Sequence, residues 1–306
     1  MTYFQLVEEI FKKKSFLCVG LDSDNNKIPE CIKGSSKADT LLRFNRSIVD
    51  ATARYAIAFK PNVAFYESEG ADGWRALEET IRYIKQKYPE ILVIADAKRG
   101  DIGNTSERYA KAIFDHLGAD AVTLAPYMGK DSISPFLAHK DKWSVILALT
   151  SNAGSEDFQL LSTFDDDVTT PQMRCLRKGR LALANTLPKE ELAPLYERVL
   201  ATASSWGSKE NTMFVVGATH AEMLTDVRKI VPSHFLLVPG VGAQGGSLEE
   251  VSEYGMTAEC GLLVNSSRGI IYAGNDEYFA CAAAAKAAEL QTQMAALLYR
   301  YSKLYK

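Results

Sequence analysis

ILVIADAKRGDIGNT, residues 91–105, carries two patterns in succession. Ile91 to Ala95 is a continuous apolar run, as a parallel strand covered on both faces should be. Asp96, Lys98, Arg99 and Asp101 then crowd together around Gly100. Charge where a buried strand ends is costly unless it is paired or solvated. Beyond the turn the chain reads as the start of a helix. A buried strand, a charged end, a turn and a helix make the repeating unit of a parallel α/β sheet.

Working outward, the unit recurs along the whole chain. Apolar runs stand at 16–22, 56–62, 91–98, 121–126, 144–151, 212–219, 234–241 and 261–267. Amphipathic stretches lie between them, such as TLLRFNRSIVDATARY (40–55) and GWRALEETIRYIKQKY (73–88). Eight strands alternating with helices predict an α/β protein, a (β/α)8 TIM barrel covering residues 1–306 as one catalytic domain. A doubly wound sheet satisfies the same pattern, because strand order is not written in sequence. About sixty residues separate runs five and six, more than a βα unit requires. The stretch 189–206 reads as the regular helix there, and residues near 156–188, with Asp165, Asp166 and Asp167, as an insertion. It is read as a surface excursion, with a lid over the site as the alternative. The Ala-rich segment 276–305 predicts a last helix capped by Asn275 or Asp276.

Composition narrows the class. The chain has 306 residues, 47% hydrophobic and 24% charged, with a formal net charge of -3. That balance gives no reason to expect nucleic-acid or membrane partners. No apolar run is long enough to span a bilayer, and the first residues show no basic-then-apolar leader. The five cysteines, Cys18, Cys31, Cys175, Cys260 and Cys281, are odd in number and widely spaced. Reduced thiols in a cytoplasmic protein are expected, with Cys18, Cys260 and Cys281 as buried small hydrophobes. His116, His139, His220 and His234 are dispersed, read as surface or helix-cap residues, and no metal cluster is expected.

In a barrel the functional groups gather at the carboxyl ends of the strands. Here those ends carry Asp22, Lys60 and Asn62, Asp96 and Lys98, and Thr150, Ser151 and Asn152. Strand alternation puts Asp96 and Lys98 on one face and sends Arg99 elsewhere, into a surface ion pair. Lys98 is then bracketed by Asp96 and Asp101 and can meet Lys60 across the barrel mouth. Neighbouring carboxylates favour a protonated lysine, suited to stabilising negative charge and donating a proton rather than to Schiff-base chemistry. The Gly-rich loop after Pro239 runs into Ser247-Leu-Glu-Glu250, which has capping-box spacing. A helix N-terminus there, with Gln244 and Arg268 as side-chain donors, predicts a phosphate site.

GLD at 20–22, FKPN at 59–62, DAKRGDIGNT at 96–105, PGVGAQGG at 239–246 and SSRG at 266–269 together resemble the orotidine 5′-phosphate decarboxylase family. The motifs span nearly the whole chain, and the length resembles the long bacterial and protozoan branch. The resemblance implies a carboxy-lyase that needs no cofactor and no metal. Its reaction converts orotidine 5′-monophosphate to UMP and CO2, the last step of pyrimidine nucleotide synthesis. It implies that Lys98 stabilises the C6 carbanion and protonates it, with Asp96 beside the substrate carboxylate. Lys60 and Asp22 would bind ribose hydroxyls, supported by Asn62. Asp101 and Thr105 would reach into the partner's site in a homodimer with shared active sites. Thr150, Ser151 or Asn152 would hold the pyrimidine edge, Pro239 would lie against the base, and Gln244 and Arg268 would bind phosphate. The alternatives are a magnesium-dependent sugar-phosphate decarboxylase or aldolase of the same superfamily, a non-catalytic barrel that binds a phosphate ligand, and a Schiff-base aldolase.

Overall fold

The computed structural model describes residues 1–164, 192–241 and 245–302. Ten strands lie among them: β1 (Leu17–Leu21), β2 (Ala56–Pro61), β3 (Leu92–Arg99), β4 (Ala121–Leu124), β5 (Trp143–Leu149), β6 (Ser162–Phe164), β7 (Leu192–Pro194), β8 (Thr212–Val216), β9 (Phe235–Pro239) and β10 (Leu262–Ser266). Eight of them close into a parallel barrel in the order β1-β10-β9-β8-β5-β4-β3-β2. This is the (β/α)8 barrel, and closure excludes the open doubly wound sheet. Every residue of β1, β2, β4 and β8 is buried. Their inner faces fill the barrel and their outer faces lie under the helices, which is why these sequences read as unbroken apolar runs.

The helices follow their amphipathic patterns. Lys37–Thr52 is capped by Ser36, whose side chain accepts from the Asp39 N–H, and it buries Leu41, Phe44 and Ile48. Gly70–Lys87 buries Leu77, Ile81 and Ile84 on one face. The last helix runs Phe279–Tyr301, starting later than its sequence suggested. Asp276 does not cap it: its carboxylate accepts from the Tyr278 N–H at 2.9 Å and shapes the turn before the helix.

Two elements stand outside the regular βα repeat. The first helix, Tyr3–Lys13, opens with a complete capping box between Thr2 and Gln5. Its Tyr3 ring packs 5.3 Å from Phe235 and 6.5 Å from Trp143, residues that begin β9 and β5. The Trp143 Nε1–H donates to the Met1 carbonyl at 2.9 Å. The amino end of the barrel is therefore plugged. At the other end, the excursion after β5 leaves and returns through an antiparallel ribbon, in which Thr163 faces Ala193. The helix that follows is Leu195–Ser204, shorter than the 189–206 read from sequence, because Leu192–Pro194 belongs to the ribbon. Asp165, Asp166 and Asp167 and most of the insertion lie outside the described residues, as does Cys175.

Candidate active site

The stretch 96–98 does not continue the strand's alternation. Ala95 pairs with Val122 and Arg99 with Leu124, so three residues of β3 face one residue of β4, Thr123. The bulge places Lys98 at φ +47°, a left-handed conformation. For a residue with a Cβ this costs on the order of 1–3 kcal/mol. Asp96 and Lys98 do converge, as expected, but through this bulge rather than through a regular pleat. Gly100 answers a close approach: a Cβ there would lie 2.5 Å from the Ala125 carbonyl oxygen.

Asp96 is the hub. Its Oδ2 accepts from Lys60 Nζ at 2.7 Å, and its Oδ1 from Lys98 Nζ at 2.7 Å and from the Thr123 hydroxyl at 2.9 Å. Asp96 and Lys60 are both buried, whereas the Lys98 side chain is 53% exposed. Burial by itself would raise the Asp96 carboxyl; the two ammonium groups outweigh it and hold it well below the usual carboxylate range. Burial works against the Lys60 charge as well, and Asp96 and Asp22 overcome it, so Lys60 is pushed up. The two lysines meet through Asp96, one on each oxygen. Asp101 does not complete a bracket around Lys98: its carboxylate accepts the Ile102 N–H at 2.7 Å, and no described residue forms an ion pair with it. Thr105 lies in the helix Gly103–Ala110. Arg99 turns away to pair with Glu67, stacked 5.3 Å from the Tyr109 ring.

A cavity opens at the carboxyl end of the barrel beside this array. Asp22, Lys60, Asn62 and Asp96 line one side of it; Pro239, Gly240, Val241, Ser266, Ser267 and Arg268 line the other, with Asn265. The buried Asp22 Oδ1 and Asn265 Oδ1 have no hydrogen-bond partner. Both are acceptors, so a bound molecule that offers hydroxyls there would satisfy them. The Tyr272 hydroxyl fixes the Asp22 segment by donating to the Asp22 carbonyl at 3.0 Å. On the opposite side, Ser247 caps the helix Leu248–Gly255 by accepting from the Glu250 N–H. Gly246 N–H folds back to the Gly240 carbonyl at 3.3 Å. Arg268 is exposed and has no side-chain partner among the described residues. Gln244 lies outside them. Thr150, Ser151 and Asn152 do not line the cavity; Ser151 approaches it by donating to the Pro239 carbonyl at 3.4 Å.

The profile of the orotidine 5′-phosphate decarboxylase / HUMPS family matches residues 15–283. The chain belongs to this family. It is 53% identical over 298 residues to a protein named orotidine 5′-phosphate decarboxylase in Christiangramia forsetii, covering 97% of this chain and 99% of that one. A protein of the same name in Bacteroides fragilis is 53% identical over 290 residues, covering 95% and 96%. The solved OMP decarboxylase of Leishmania donovani superposes with a TM-score of 0.77 at 36% identity, over 98% of this chain and 100% of that one.

Sequence reasoning missed two residues of the site. Thr123 carries no signal, because threonine is ordinary in a strand. Asn265 stood beside the SSRG motif, and only its buried, unpaired oxygen marks it. Two further expectations need correction. His234 is partly buried rather than at the surface or a cap: its ring lies 5.5 Å from Phe214 and both its nitrogens lack partners. Burial and the Arg228 charge push it down to about 4. Cys281 is exposed, while Cys18 and Cys260 are buried as expected. Among the described residues no group of three or more His, Cys, Asp or Glu side chains is placed to hold a metal, and no helix is long and apolar enough to cross a membrane.

Proposed function

We propose a division of labour for the reaction of this family, the decarboxylation of orotidine 5′-monophosphate to UMP and CO2. The observation that carries it is the array Lys60–Asp96–Lys98, two ammonium groups on one buried carboxylate. Lys98 is the proton donor: loss of CO2 leaves a carbanion at C6, and a fixed ammonium offsets that charge and then protonates the carbon. Asp96 holds Lys98 in place and sits beside the substrate carboxylate. Lys60, Asp22 and Asn62 take the ribose hydroxyls, which meets the need of the unpaired Asp22 oxygen. Arg268, with the Ser247-capped helix and Gln244, takes the phosphate. Grip on that remote group can be spent at the reacting end. Pro239 lies against the base, with Thr150, Ser151 or Asn152 at the pyrimidine edge.

The site works as a homodimer, with Asp101 and Thr105 serving the partner's cavity. Ile102 and Tyr127 support this, since both are exposed large hydrophobic side chains in the segments that follow β3 and β4 at that end of the barrel. A magnesium-dependent sugar-phosphate enzyme is disfavoured, because the Lys60 ammonium stands where such a site needs a carboxylate. A reducing cytoplasm suits the four described cysteines, which are all free. The deciding test is an absorbance assay with orotidine 5′-monophosphate in excess EDTA. Turnover unaffected by the chelator is expected, and Lys98→Ala should abolish it; full activity in that variant would remove Lys98 from the proposed role.

A further inference from the structure

Thr123 lies inside the apolar run of β4 and is 1% exposed. Its hydroxyl has two partners, both in the bulge. It donates to Asp96 Oδ1 at 2.9 Å and accepts from the Lys98 backbone N–H at 2.9 Å. The directions follow from chemistry. An ionised carboxylate only accepts, so the single hydroxyl proton goes to Asp96 and a lone pair is left for Lys98. Thr123 is also the one β4 residue opposite the three bulged residues. Its side chain accepts the N–H bond that a regular ladder would give to a backbone carbonyl. That N–H belongs to the residue held at φ +47°. A left-handed lysine persists only where its surroundings hold it there.

We infer that Thr123 is a positioning residue for the decarboxylation, one hydroxyl that locks the Lys98 backbone and the Asp96 carboxylate into a single register. Valine would fill the same space and supply neither bond. The cost of losing the hydroxyl should therefore fall on the chemical step, where ammonium and carbanion must align, rather than on binding through the distant phosphate pole.

The inference rests on Lys98 being the proton donor, and the experiment separates the two. Thr123→Val, Thr123→Ala, Thr123→Ser and Lys98→Ala are compared in the full chain by steady-state kinetics and by UMP binding. Thr123→Val is expected to lower kcat about a hundredfold with KM and UMP affinity within about threefold of the parent. Thr123→Ser should recover kcat to within about threefold, since it keeps the hydroxyl and loses only a methyl group. A valine variant with undiminished kcat, or a serine variant as impaired as valine, overturns the inference. Should valine fail to fold, alanine carries the same expectation; should neither fold, Thr123 serves folding and the inference falls. An active Lys98→Ala would instead sink the proton-donor reading. An inactive Lys98→Ala beside an active Thr123→Val leaves that reading standing and removes Thr123.

Discussion

At Lys98, the proposed proton donor and a strained backbone share one residue. A left-handed lysine is less stable than an extended one, and the Thr123 bond and the Asp96 ion pair hold it against that cost. The strain has a measurable sign. At most sites glycine is less stable than alanine by about 0.5–1 kcal/mol, because it loses more backbone freedom on folding. At position 98 the order should reverse. Lys98→Gly and Lys98→Ala both remove the ammonium, but only glycine accepts the positive φ without penalty. Urea unfolding is expected to find the glycine variant more stable by about 1 kcal/mol, with both variants inactive. The usual order at this position would mean that the backbone relaxes once the ammonium is gone. The charges here were legible in sequence, since Asp96, Lys98 and Lys60 announce themselves at strand ends. The bulge was not: two residues of spacing imply a shared face whether or not the strand is regular, and nothing in Asp-Ala-Lys marks the extra residues.

At the scale of elements, the amino end of the barrel is held by buried polar groups. Arg228 is the tie: its guanidinium donates to the carbonyls of Gly255, Val231, His234 and Gly261, at 2.7, 3.2, 2.7 and 2.8 Å. Beside it, His234 is partly buried, and neither of its buried ring nitrogens has a partner. Its folded value of about 4 lies below the ordinary 6.5, so between these two pH values the unfolded chain binds more protons than the folded one. Its contribution to stability is therefore complete above about pH 6.5 and is lost progressively as pH falls toward 4. With partial exposure taken into account, the loss should amount to at most about 2 kcal/mol. His234→Phe, packed against Phe214, should flatten the fall in urea midpoint across that window. Equal slopes in both proteins would show that other groups govern it. The barrel strands themselves were readable because burial on both faces leaves unbroken apolar runs. The plugging role of the first helix was not, since an amphipathic helix looks the same wherever it docks.

For the whole molecule, the question is whether one chain completes a site. In this chain Asp101 stays on its own loop, bonded to the Ile102 N–H and apart from Lys98. If it serves a neighbour, Lys98→Ala on one subunit and Asp101→Ala on the other fall in the same site of a mixed dimer and leave the other site whole. Mixing the two inactive variants under subunit exchange should restore about a quarter of the wild-type activity. Random pairing makes half the dimers mixed, and each of these holds one intact site. No recovery despite verified exchange would confine Asp101 to its own chain. Such sharing was suggested by family resemblance alone, because no pattern in a single sequence distinguishes a residue that serves its own subunit from one that serves another.

The helix Tyr3–Lys13 has a consequence for traffic. With the barrel interior filled by strand side chains and its amino end covered by Tyr3 against Trp143 and Phe235, the cavity at the carboxyl end has one mouth. Nucleotide must enter, and both gas and product must leave, past the same rim. Anything that narrows the rim, whether a docked neighbour or a folded-over loop, throttles arrival and departure together. Selectivity for what comes in is thereby tied to the pace at which the cavity empties.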